Sequence, residues 1–293
     1  MEIAPPEKKG FQGSWTLFSA IGGILLGSLV VTLMNNTLGN EIMLAWGWRI
    51  PFLGGILILV IGSWLRTGLV ESPDFLKEQK KGSLPQAPLT EIFSKMLGRV
   101  FQLSGVLLLY STSFYMLFVW MPTYLSKIVT PPVSHALMVN TISLVLLLCV
   151  IPIAGTLSDR FGRKNVLIVA TVVMGIGVYP LFKVIDQGDM LTALGTQLVF
   201  AVLVGFVQGP ALALMTEMFP TRVRYTGIGI SYNLVMAVFG GTSPLVSTWL
   251  IQKTGDLASP AIYLVIMSGL SLIGLLTLKT GKDKQLLSSY RDE

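Results

Sequence analysis

The chain is 293 residues long, 52% hydrophobic and only 12% charged, with a mean hydropathy of +0.71. A soluble domain carries about 25% charged residues, and one core of this size could not keep so much apolar side chain from water. The net charge of +6 would suit a nucleic-acid binder, but the basic residues lie in short segments between apolar runs, so a lipid bilayer and not nucleic acid is the expected partner.

A helix needs about 20 mostly apolar residues to cross about 30 Å of hydrocarbon. Runs of that kind lie at 14–34, 50–70, 100–125, 137–157, 166–184, 191–216, 226–251 and 261–279. Residues 1–13 are polar and lead into a run too long for the core of a cleavable signal, so the first span is expected to stay in the membrane. Lone strands leave backbone groups unsatisfied in lipid, and the expectation is an all-α polytopic membrane protein with eight transmembrane helices.

Lys and Arg sort into alternate loops. One side takes Lys8, Lys9, Arg66, Lys77, Lys80, Lys81, Lys95, Arg99, Arg160, Arg163, Lys164, Arg222, Arg224, Lys279, Lys282, Lys284 and Arg291, a total of 17. The other takes only Arg49, Lys127, Lys183 and Lys253. Retention of basic residues on the cytoplasmic side predicts that both termini are cytoplasmic. The single Cys149 excludes an intramolecular disulfide, and its apolar neighbours favour a small packing side chain over a reactive thiol.

The longest connection, 71–98, is polar and punctuated by Pro73, Gly82, Pro85 and Pro88. It is expected to be a cytoplasmic linker between residues 1–70, with two spans, and residues 99–293, with six. An internal echo supports two halves: Glu2-x-x-Pro5-x-x-x-Lys9 recurs as Glu217-x-x-Pro220-x-x-x-Arg224. Repeated halves are a common plan in secondary transporters. With six spans per half, the chain would hold the last two of the first half and all of the second, and a further four-helix segment is expected on the N-terminal side.

Between the fourth and fifth spans runs Gly155-x-x-x-Asp159-Arg160-x-Gly162-Arg163-Lys164. Gly155 lets a helix end approach a neighbour closely. Asp159 can pair with a guanidinium or accept from a helix N-terminus, and Gly162 permits a turn that other residues resist. A loop that merely retained positive charge would explain the basic residues but not this order.

With this loop the chain resembles the major facilitator superfamily, whose signature has the same Gly-x-x-x-Asp-Arg-x-Gly-Arg-Arg/Lys form between helices 2 and 3 and again between 8 and 9. Further stretches resemble its metabolite–proton symporter branch, which includes carriers of proline and betaine, 2-oxoglutarate, citrate and shikimate. They are Lys9-Gly10-Phe11-x-Gly13-Ser14-Trp15, Trp46-Gly47-Trp48-Arg49-Ile50-Pro51-Phe52, Glu71-Ser72-Pro73-x-Phe75, Tyr115-Met116, Met121-Pro122-x-Tyr124-Leu125 and Met218-Phe219-Pro220-Thr221-x-x-Arg224-Tyr225. The resemblance covers nearly the whole chain and implies that the eight spans are family helices 5–12, that helices 1–4 are absent, and that substrate passes midway through the membrane between two rocking halves.

It further implies that Gly155, Asp159, Arg160, Gly162, Arg163, Lys164, Glu217 and Arg224 set a cytoplasmic gate, with Glu217 pairing with Arg160 or Arg163. Spans 100–125, 191–216 and 226–251 would be helices 7, 10 and 11, beside the pathway. The first carries Tyr110, Ser113, Leu117, Trp120 and Tyr124 at helical spacing, with Ser111 and Tyr115 on an adjacent face. Tyr110, Ser113 and Tyr115 are pathway candidates; Trp120 and Tyr124 also fit an interfacial aromatic belt. The mid-span amides Gln197, Gln208 and Asn233 could bind substrate or join helices.

No Asp, Glu or Arg lies at the middle of a span, where a charge costs at least about 2.5–3.5 kcal/mol and marks function. The one His, His135, falls at a span end beside Pro131 and Pro132. The proton-coupling carboxylate is therefore expected in the absent helices. No cofactor, metal site, catalytic constellation or nucleotide-binding glycine loop is expected, so a membrane enzyme or an ATP-driven pump is disfavoured. The expected function is proton-coupled symport of a small organic acid or zwitterionic metabolite. The alternative is a remnant or subunit that transports nothing without a four-helix partner.

Overall fold

The computed structural model describes residues 5–68, 71–82, 85, 87–185 and 189–278. Glu2 of the internal echo and the tail residues Lys279, Lys282, Lys284 and Arg291 lie outside them. The described residues contain helices and no strand.

In chain order the helices are α1 (Lys9–Ile42), α2 (Arg49–Thr67), α3 (Pro73–Lys80), α4 (Pro88–Lys95), α5 (Leu97–Phe114), α6 (Met121–Thr123), α7 (Ala136–Phe161), α8 (Arg163–Ile185), α9 (Met190–Gln208), α10 (Ala211–Met218), α11 (Arg224–Val235), α12 (Ser243–Thr254) and α13 (Pro260–Thr277). Short 3-10 and π-helical turns join several of these end to end. Eight continuous segments are long and apolar enough to cross a membrane: Lys9–Val31, Met43–Thr67, Leu97–Ile128, Ala136–Phe161, Arg163–Ile185, Met190–Met218, Thr221–Thr254 and Pro260–Thr277. Each overlaps one of the eight runs read from the sequence.

Local chemistry explains the breaks. Gly39, at φ 77° and ψ 159°, interrupts α1 in a conformation that a side chain would resist. Gly162, at φ 88°, takes the same left-handed side of backbone space and turns α7 into α8. His135 caps the start of α7 from a left-handed φ of 56°, at the span end where the sequence put it.

The first two spans and the third are buried very differently. Leu97–Ile128 is the most deeply buried segment, enclosed by α7, α9, α11, α12 and α13. No residue of α2 is buried, and Phe52, Ile58 and Trp64 are each at least 73% exposed. A helix apolar on every side is stable only against lipid or another apolar partner. Helix α1 packs along α7 and touches α10.

The linker region is not wholly irregular. Ser72 accepts from the Phe75 amide at 3.2 Å and caps α3, with Pro73 at its first position. Helix α4 buries Ile92 completely against α5 and α11, and Glu91 pairs with Arg222 at 3.0 Å.

Candidate functional site

The ends of the helices gather into two polar layers, one at each face of the bundle. The first collects the N-termini of α1, α5, α8 and α11 with the C-termini of α7, α10 and α13, and holds the signature loop. Its centre is Asp159. One carboxylate oxygen accepts from the Gly10 amide at 2.8 Å and the other from the Phe11 amide at 2.9 Å. Both amides belong to the first turn of α1, which has no carbonyl partners for them within its own helix. A carboxylate there also meets the positive end of the helix dipole.

The approach requires two glycines. A Cβ on Gly155 would lie 2.6 Å from the Gly10 carbonyl oxygen, and a Cβ on Gly10 would lie 2.5 Å from that of Gly155. Both obstacles are backbone and cannot swing aside. Arg163 reaches back one turn to Asp159 at 3.2 Å and also pairs with Glu217 on α10. Three helices are thus tied by one guanidinium and two carboxylates. Of the two arginines that Glu217 was expected to meet, it meets Arg163; Arg160 is exposed.

Three other basic residues of this layer cap helix C-termini. Lys164 donates to the carbonyl oxygens of Leu276 and Leu278 at the end of α13. Arg99 reaches Met218 O at 3.3 Å and Arg224 reaches Phe219 O at 3.2 Å, the last residue of α10 and the one that follows it. Cations placed on unpaired carbonyls oppose the negative end of the dipole.

At the opposite layer α1 and α7 separate. A Cβ on Gly22 would meet only Leu148, at 3.9 Å, and one on Gly27 would meet nothing within 4 Å. The gap between them is a cleft of about 730 Å³, lined on α1 by Leu25, Ser28 and Leu29 and opposite by Pro122, Thr123, Ser126, Val133, His135 and Thr141 among others. The loop after α12 carries Asp256, which binds Lys183 at 2.8 Å and accepts from the Ala258 amide at 3.0 Å. The Lys183 hydrogen bond, then that amide, hold the Asp256 carboxyl below its ordinary value.

Between the layers, the six pathway candidates differ in burial. Tyr110, Ser113, Gln197 and Gln208 are buried, Tyr115 is half-buried and Asn233 is exposed. The ring of Tyr110 lies 6.1 Å from that of Tyr232, edge to face. Tyr115 is pressed against Gly240, where a Cβ would come within 2.9 Å of its ring. Gln197 donates to the Leu117 carbonyl and reaches Asn140 Oδ1 at 3.4 Å. The Asn233 amide donates to Gly229 O of its own helix at 2.7 Å. Trp120 and Tyr124 are buried and form no surface belt: the indole donates to Thr248 Oγ1 at 3.1 Å and the phenol to Leu257 O at 3.0 Å.

Sequence reasoning passed over Asn140 and Tyr232. Asn140 sits in an apolar run and donates to the Phe118 carbonyl at 3.2 Å. Its signal was an amide near the start of a span, in a run otherwise read for length alone. Among the described residues no group of His, Cys, Asp and Glu is placed to hold a metal.

A polytopic helical bundle with a glycine-closed junction at one face, an open cleft at the other and buried amides between has the architecture of a membrane carrier. The major facilitator superfamily model matches residues 129–291, more than half of the chain, and a sugar (and other) transporter model matches residues 1–91. The chain belongs to the major facilitator superfamily.

It is similar to the proline/betaine transporter of Salmonella typhimurium, 31% identical over 97% of this chain and 59% of that protein. Likewise it is 33% identical to the citrate-proton symporter of Klebsiella pneumoniae, over 94% of this chain and 61% of that protein. An inner membrane metabolite transport protein of Escherichia coli is 32% identical over 94% of this chain. The fold matches the proton:xylose symporter XylE with a TM-score of 0.73 at 19% identity, over 94% of this chain and 64% of that one. This chain therefore spans about 59% of the length of the proline/betaine transporter it matches. These relatives agree with the metabolite–proton symporter resemblance, and with the eight apolar helices they make this a multi-pass protein of the bacterial inner membrane.

Proposed function

We propose that the chain serves proton-coupled symport of a small organic acid or zwitterion, as the eight helices that correspond to helices 5–12 of a major facilitator carrier. Residues 1–70 belong to the first half, 71–98 form the linker and 99–293 are the second half. The layer that holds Asp159 faces the cytoplasm with both termini, in keeping with the distribution of Lys and Arg. Support for the substrate class comes from its relatives, among them a proline/betaine transporter and a citrate-proton symporter.

The observation that carries the reading is the unequal spacing of α1 and α7. They are locked at the Asp159 end and parted by the cleft at the other. A carrier that alternates access needs one end closed while the other admits substrate. Asp159, with Arg163 and Glu217, is the latch of the closed end. Gly155 and Gly162 provide the close crossing and the turn, Lys164 and Arg224 brace the neighbouring helix ends, and Arg160 faces the solvent. Tyr110, Ser113, Tyr115, Gln197, Gln208 and Asn233 remain the candidate lining of the pathway. The coupling carboxylate is assigned to a four-helix segment on the N-terminal side.

Uptake of labelled proline and of labelled citrate by vesicles tests this. The 293-residue chain is expressed alone and together with the first four helices of the Salmonella typhimurium relative. Uptake that follows an imposed proton gradient only when both pieces are present is the expected result. Robust proton-driven uptake by the chain alone would overturn the placement of the coupling group. No uptake in either case would favour a transport-incompetent remnant.

A further inference from the structure

The outer third of the third span is not an ordinary helix. After α5 ends at Phe114, residues Tyr115–Trp120 are wound as a π-helix, and the Met121 amide reaches back five residues to Met116 O. In that register the next amide, from residue 122, would serve Leu117 O. In an α-helical register it would serve Phe118 O instead. Residue 122 is proline and has no amide proton for either carbonyl.

Two other helices supply what Pro122 lacks. Gln197 of α9 donates its side-chain amide to Leu117 O, and Asn140 of α7 donates to Phe118 O at 3.2 Å. The two amides also meet each other, Gln197 Nε2 to Asn140 Oδ1, at 3.4 Å. All of this is buried: Asn140 is 9% exposed and Gln197 not at all. Orphaned carbonyls are costly in a water-free interior, so donors aimed at these two atoms hold the break in one geometry. Beyond the break the chain lines the cleft with Pro122, Thr123 and Ser126.

We infer that Asn140 and Gln197 are positioning residues that replace the missing amide proton of Pro122, clasping the Tyr115–Ile128 segment to α7 and α9 and so setting the wall of the open cleft. The clasp rests on geometry alone; its bearing on access for a substrate rests on the transport reading above. Once either amide is lost, the segment is free to open while the rest of the bundle stays closed.

Hydrogen exchange followed by mass spectrometry on the full chain in lipid nanodiscs tests the clasp without needing transport. In Asn140→Leu and in Gln197→Leu, peptides covering 115–128 are expected to exchange about fivefold faster, the change in opening that loss of one buried hydrogen bond produces. Peptides from α13 are expected to keep their rate. Pro122→Ala restores a backbone amide that can serve either carbonyl. It is expected to bring each single variant back to within about twofold of the parent, and the Asn140→Leu/Gln197→Leu pair only part of the way. Equal acceleration in α13, unchanged exchange in the single variants, or no rescue by Pro122→Ala would overturn the clasp. If a single variant fails to insert, recovery of insertion by Pro122→Ala supports it, and failure of the combined variant overturns it.

Discussion

The same two helices, α1 and α7, meet under opposite rules at their two ends. At the Asp159 end glycine faces glycine, backbone touches backbone, and a buried carboxylate completes the unpaired amides of α1. At the far end a Cβ on Gly27 would meet nothing within 4 Å, and the space is a cleft bordered by Ser28, Ser126 and Thr141. Glycine content alone does not distinguish the two ends, since each has glycines on α1. What differs is whether the opposing helix also presents a glycine and whether an anion is there to draw the helix start inward.

The strongest way to break the contrast is Gly155→Val. Its side chain would have to occupy the position of the Gly10 carbonyl, so the helices must part and both Asp159 hydrogen bonds go with them. A loss of more than about 3 kcal/mol at the junction is expected. Spin labels at the exposed positions Trp15 and Phe161, in a Cys149→Ser background, should report a longer and broader distance. Gly27→Ala, at the open end, should leave that distance unchanged and alter stability by less than about 0.5 kcal/mol. An equal effect of the two would show that glycine matters here only as a flexible residue.

Next in size is Asp159→Ala, which leaves the helix packing in place and removes the anion. Two amides of α1 and the Arg163 guanidinium lose a partner, at a cost of about 2–3 kcal/mol. Thermal unfolding in detergent should fall by several degrees, with Asp159→Asn intermediate because one oxygen still accepts. The smallest effect belongs to the far end. Lys183→Gln removes the partner of Asp256, an ion pair exposed enough to contribute only about 0.5 kcal/mol. Because the Asp256 carboxyl is held below its ordinary value of 3.8, its contribution is present above that pH and is lost as the pH falls through the lower, folded-state value. Parent and variant should thus differ in melting temperature at pH 7 and converge in strong acid. A difference that persisted there would assign the effect to packing.

Much of this frame was legible from residue order. The eight apolar runs are set by the thickness of hydrocarbon, a constraint local to each run, and each overlaps a spanning segment. The signature loop was legible as chemistry because carboxylate, guanidinium and glycine have few other joint uses. That Asp159 reaches Gly10 and Phe11, 149 and 148 residues away, could not be read without the fold. The helices of the linker announced themselves only in Ser72-Pro73, a cap followed by a proline, within a stretch dominated by breakers. Trp120 and Tyr124 look like belt residues by depth along their span, yet neighbouring helices bury them. The π-helical turn changes the side-chain period within a single turn, too short a stretch for any periodicity to register, and so Asn140 had no apparent partner.

The crossing of Gly10 and Gly155 carries a consequence for inheritance. Each residue's forbidden Cβ collides with the other's main chain, so shrinking the partner side chain gives no relief. A change at one site has no compensating change at the other, and the two positions are constrained separately instead of as an exchangeable pair. A screen for second-site revertants of Gly155→Val should then return substitutions that shift α1 bodily, or true reversion, and nothing at residue 10.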